Sequence, residues 1–157
     1  MTTQIRPAEL ARIELGALAL RLGLGTMFIA HALLKYFVFT LPGTAQFFAS
    51  LGLPPALGYL TFAAELAGGA LLVLGVYARW VALALVPVLL GATWAHLGNG
   101  WLFSAPNGGW EYPAFLALAA LVQFMVGDGA WALKRSDRSA ATRPAVQATL
   151  TAEGATR

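Results

Sequence analysis

The side chains that could do chemistry in this chain are few and set among aliphatics. His31 and Lys35 stand four residues apart, Glu65 lies within Ala63-Ala64-Glu65-Leu66-Ala67-Gly68-Gly69, His96 and Asn99 stand three apart, and Glu111 opens the next apolar run. Histidine and glutamate can accept and return protons when their surroundings tune them. A lysine favours anionic charge beside it, and an amide can orient a polar ligand. On a helix these spacings put His31 with Lys35, and His96 with Asn99, on one face. Each ionisable group buried in an apolar span costs about 2.5–3.5 kcal/mol on insertion scales unless it pairs, snorkels or neutralises. His31, Glu65 and His96 are therefore the catalytic candidates, with Lys35, Asn99 and Glu111 as substrate-binding candidates.

The elements that must position them are membrane helices. The 157 residues are 59% hydrophobic and 11% charged, and mean hydropathy is +0.69. Soluble domains are nearer half apolar and a quarter charged. The fold class that follows is all-α, an integral membrane bundle of four antiparallel spans, at about 15–39, 57–77, 80–97 and 110–126. The second span has Glu65 as its one charge and is long enough for a hydrocarbon core of about 30 Å. Ala78-Arg79 reads as the tight turn between spans two and three, and Gly127-Asp128-Gly129 as the release from span four. Glu9 and Glu14 interrupt the basic N-terminal stretch, so it reads as an uncleaved first span rather than a signal peptide.

Charge sets the orientation. Arg6, Arg12, Arg79, Lys134, Arg135, Arg138 and Arg143 flank the spans, whereas 40–56 and 98–110 hold no lysine or arginine. The positive-inside rule places both termini in the cytoplasm of a multi-pass inner-membrane protein, with the two long loops outside. Phe47, Phe48, Trp101, Phe103 and Trp110 in those loops suggest interfacial segments over the mouth of the bundle. Residues 1–135 form the membrane domain, and the basic, Ala- and Thr-rich segment 136–157 reads as a disordered cytoplasmic tail.

Depths can then be compared. Counting from the outer surface at 1.5 Å per residue, His31 lies about 9–12 Å down and Glu65 about 12 Å. Lys35, His96 and Glu111 are shallower on the same side, so four helices direct polar groups into the outer half. Two readings stay open. Glu65 with His31 or Lys35 is a structural intramembrane pair, or the cluster also contacts a substrate, quinone or proton. Arg21 reads as structural, snorkelling inward, with Glu14 within reach. Gly68 and Gly69 read as structural positions of close helix approach.

With no cysteine, thiol relays and Cys-ligated clusters are excluded. No metal site is assigned, because His31, His96, Glu65 and Glu111 lack the Glu-x-x-His spacing. No covalent cofactor is expected, and any redox role must take its electrons from elsewhere.

With these residues in place the chain resembles the DoxX family of small bacterial four-helix membrane proteins. The resemblance rests on Arg21 with His31 and Lys35, on Glu65-Leu66-Ala67-Gly68-Gly69 closing on Gly75 and Arg79, on His96-Leu97-Gly98-Asn99-Gly100, and on Gly109-Trp110-Glu111-Tyr112. The loop from Gly43 to Leu53 also resembles the family's outer loop, while Ala32 stands where relatives often have glycine. The resemblance implies a membrane subunit of an oxidoreductase system, quinone-linked or tied to oxidative stress, working with a redox partner subunit in the lipid bilayer. It implies no nucleic-acid role. A different class of reading is a non-enzymatic scaffold or a small-solute or proton conduit. Glycine-lined faces permit a homodimer.

Overall fold

The computed structural model describes residues 6–136, so the expectation for the tail falls, from residue 137 on, outside the described residues. Five helices follow in order: α1 Pro7–Phe37, α2 Leu41–Ser50, α3 Ala56–Leu74, α4 Ala78–His96 and α5 Glu111–Val126, with a 3₁₀ turn at Leu97–Asn99. By length and composition α1, α3 and α4 can cross a membrane, and α5 is a shorter apolar helix.

The first helix starts earlier than the apolar run. Pro7 occupies its first turn, where no amide partner is needed, and Glu9 accepts from the Arg6 amide at 3.2 Å and its guanidinium at 2.6 Å. These local bonds extend the helix below the expected start at Leu15. Its 31 residues measure about 46 Å, more than a hydrocarbon core needs. At the other end it stops at Phe37, two residues before the expected Phe39. Thr40 takes a positive φ of 61°, and its hydroxyl accepts from the Gly43 amide at 3.2 Å, which starts α2. The outer loop thus contains a ten-residue helix seated on α3 at Gly58, where an added Cβ would fall 3.1 Å from the Ala45 backbone.

The turn between α3 and α4 differs from the sequence expectation. The third helix ends at Leu74, before the expected Tyr77, because Gly75 takes the left-handed conformation (φ 70°, ψ 44°) that closes helices. Gly75-Val76-Tyr77 make the turn, and Ala78 and Arg79 are the first residues of α4. The segment after α5 folds back over this turn. Tyr77 donates to the Lys134 carbonyl at 2.8 Å and Lys134 to that of Gly75 at 3.0 Å. Arg135 pairs with Glu14 at 2.6 Å, and Asp128 accepts from the Arg79 amide at 3.0 Å.

Helices α1, α3, α4 and α5 form a ring in which each packs on two neighbours, α1 chiefly on α3 and α4 chiefly on α5. The core is Leu24, Phe28, Leu72, Ala82, Leu85, Leu89 and Ala120. Outside it the surface is apolar, with Leu60, Leu90, Phe115 and Met125 all exposed, while Arg21, Glu65 and Gln123 are buried. Polar groups inside and apolar groups outside invert the arrangement of a soluble protein. This is a membrane protein.

Candidate functional site

The site begins with glycines that bring two backbones together. An added Cβ on Gly69 would fall 2.9 Å from the Gly25 carbonyl oxygen, and one on Gly25 would fall 2.8 Å from Val73. Helices α1 and α3 therefore touch where only glycine fits. Gly68 receives Leu85 of α4 in the same way, at 2.8 Å. These glycines serve contacts within one chain rather than a face between copies.

One turn from that contact Lys35 meets Glu65. The ammonium donates to Oε1 at 2.9 Å and Oε2 at 2.7 Å, with side-chain exposures of 17% and 9%. Of the two partners left open, Lys35 takes the carboxylate directly. His31 instead places Nδ1 2.7 Å from the Met27 carbonyl oxygen. A carbonyl only accepts, so Nδ1 carries the proton and Nε2 is the uncommitted nitrogen. On α4, His96 Nδ1 lies 3.1 Å from the Gly108 carbonyl oxygen, an acceptor, and 3.2 Å from the Asn99 amide nitrogen, a donor, so that nitrogen finds a partner in either tautomer.

These groups line one cavity of about 350 Å³ between α1, α3, α4, α5 and the loop before α5. His31, Lys35, Glu65, His96 and Tyr112 supply its polar wall, with Phe28, Leu89 and Leu116 among its apolar lining. Tyr112 is the member that sequence reasoning missed. Its ring stacks on His31 with centroids 5.7 Å apart and planes 24° apart, and its hydroxyl is buried without a hydrogen-bond partner. It stood one residue after Glu111, and a rotation of 100° on the helix decides which of the two faces the cavity.

Asn99 and Glu111 stand outside the cavity lining. The Asn99 amide donates to the carbonyls of Gly108 at 2.9 Å and Asn107 at 3.1 Å, which ties the loop back to α4. Glu111 accepts from the Phe103 amide at 2.9 Å and holds the middle of the same loop. Arg21 is buried and does not reach Glu14, whose carboxylate is taken by Arg135. Its guanidinium donates to the carbonyls of Leu72 at 3.2 Å and Ala130 at 3.0 Å. It therefore closes the end of α3 and anchors the segment after α5, because helix-end carbonyls lack internal partners. Among the described residues no group of three His, Cys, Asp or Glu side chains is placed to hold a metal ion.

An inverted helical ring with a shared polar cavity defines the class, and comparison with known proteins defines the family. The chain belongs to the DoxX family, which matches residues 16–98. Over 79 residues it is 40% identical to the "Putative oxidoreductase CatD" of Bacillus subtilis (strain 168), a match covering 50% of this chain and 58% of that protein. No solved structure matches it. The family match ends at Gly98, so Asn99, Glu111 and Tyr112 lie beyond it.

Proposed function

We propose that this chain is a four-span subunit of an inner-membrane oxidoreductase system, with both termini in the cytoplasm, whose outer-half cavity binds a quinone as substrate. The reading is carried by one observation: the Lys35–Glu65 pair, both histidines and Tyr112, whose buried hydroxyl has no hydrogen-bond partner, line a single cavity. Its volume falls within the roughly 300–1,000 Å³ usual for small-ligand sites. The family and the name of the Bacillus relative support the oxidoreductase association. The oxidative-stress link comes from resemblance to the family.

The roles follow from hydrogen-bond capacity. The Tyr112 hydroxyl can donate to a quinone carbonyl without giving up another bond. The uncommitted Nε2 of His31 donates when the ring is protonated and accepts when it is neutral, and the His96 imidazole on the same cavity also gains and loses a proton, so either can pass one to the ligand. Lys35 favours negative charge developing on the ligand, and Glu65 holds that ammonium in place. Reduction of a quinone to its hydroquinone takes two electrons and two protons. The protons come through these side chains, and the electrons come from a redox partner subunit or soluble donor. No covalent cofactor or metal is assigned to the chain. Asn99 and Glu111 act as positioning residues for the loop that closes the cavity.

The bidentate Lys35–Glu65 geometry also favours a second reading, in which the pair is structural and the protein is a scaffold or a proton conduit. Quinone binding to the purified full chain in nanodiscs separates the two. Tyr112→Phe removes a buried hydroxyl with no partner, so stability should be unchanged while quinone affinity falls about 5- to 150-fold, the equivalent of about 1–3 kcal/mol for one buried hydrogen bond. Unchanged affinity would remove Tyr112 from the ligand site, and absence of quinone binding in the unsubstituted chain would favour the scaffold.

A further inference from the structure

The polar cavity shares two residues with an apolar groove on the outside of the ring. Phe103 and Tyr112 line both, and beyond them the groove runs over Trp101, Ala114, Phe115 and Leu118 with a volume of about 520 Å³. We infer that Phe103 and Tyr112 form a lateral portal, through which a lipid-soluble ligand passes its compact polar head into the cavity while its apolar tail lies in the groove along α5. The inference rests on the quinone reading of the cavity and adds the ligand's shape, its route and its seat.

Adjacency and polarity carry this inference: Phe103 and Tyr112 are the shared wall of the two spaces. A cavity of about 350 Å³ that already contains a lysine, a glutamate and two histidines is suited to a head rather than to a long hydrocarbon chain. The groove is the reverse. Phe103, Phe115 and Leu118 are each more than half exposed, so the groove faces the lipid and a tail can enter it sideways without crossing water. Its one acidic lining residue, Glu111, already accepts from the Phe103 amide at 2.9 Å. That bond holds the backbone of one portal residue, and Tyr112, the next residue along α5, is the other. The groove's occupant is thus the apolar tail of the ligand whose head the cavity takes.

The test uses the full chain in nanodiscs with two probes, decylubiquinone and its tail-less benzoquinone headgroup. Ala114→Trp fills the groove and should weaken decylubiquinone about tenfold or more while leaving the headgroup within about twofold. Leu118→Ala, at a lipid-facing position that the fold does not need, should weaken decylubiquinone by a smaller factor of about three, again with the headgroup unchanged. If neither substitution affects decylubiquinone, annular lipid alone covers the groove and the portal is refuted. If both probes weaken alike, the substitutions act on the cavity and the portal is refuted as well. In both cases Tyr112→Phe still reports on the cavity, and loss of affinity for both probes there leaves the quinone reading standing. If the unsubstituted chain binds neither probe, the quinone reading fails and the portal with it.

Discussion

Replacing Glu65 by glutamine keeps the side chain's size and one carbonyl oxygen but removes its charge and its capacity to release a proton. In the native structure Lys35 donates to both carboxylate oxygens, at 2.9 and 2.7 Å, from a site nearly closed to solvent. Deleting one partner of such a pair, as in Glu65→Ala, leaves an uncompensated ammonium and costs about 3–5 kcal/mol in a fully buried soluble pair. Glu65→Gln retains one acceptor, so the expected loss is nearer the worth of one hydrogen bond to a charged group, about 1.5–3 kcal/mol. The assay pairs thermal unfolding in detergent with redox activity of the intact complex. Glu65→Gln should accumulate and unfold only modestly earlier, yet activity should be abolished. The double variant Lys35→Met, Glu65→Gln removes both charges and should recover much of the stability lost in Glu65→Ala, because no unpaired ion remains. Recovery of activity together with stability would refute the reasoning and leave the pair a structural strut.

Four further outcomes are expected. His31→Gln should leave assembly near normal and abolish the same activity, since a glutamine cannot exchange protons; full activity would exclude His31 from the relay. A cysteine at Asn107 should react with an impermeant maleimide in intact cells and one at Ser139 only after permeabilisation, and the chain's lack of native cysteine keeps the readout clean. Gly75→Ala should lower accumulation sharply, because φ is 70° and the new methyl would strike the Arg21 guanidinium; normal thermal stability would show that Arg21 has another resting place. Arg21→Lys should be destabilised by about 1.5–3 kcal/mol, since one ammonium cannot span the bonds to Leu72 and Ala130 that the guanidinium makes, and an unfolding midpoint equal to the unsubstituted chain would contradict the role given to that residue.

Much of this protein was legible in its sequence because the signals are local. Long aliphatic runs dictate helices and Gly127 ends the last of them, whereas the closing of α3 at Gly75 and the start of α2 at Thr40 emerged only in the fold. Counting rise per residue was enough to bring His31, Glu65 and His96 to one side, and they do line one cavity. What composition and spacing could not decide was rotation. Whether His31 or Lys35 faced Glu65 depends on the phase between α1 and α3, and that phase is set by the Gly25–Gly69 contact, a tertiary event. The same holds for α5, where packing on α4 turns Tyr112 into the cavity and leaves Glu111 on the loop side. Arg21 was recognisable as structural, but instead of snorkelling it is buried, and its partners are carbonyls of Leu72 and Ala130, residues 51 and 109 positions away. Sequence determined which groups must leave the lipid; only the packed ring decided what each of them meets, because a buried charge takes the partner that backbone approach presents to it.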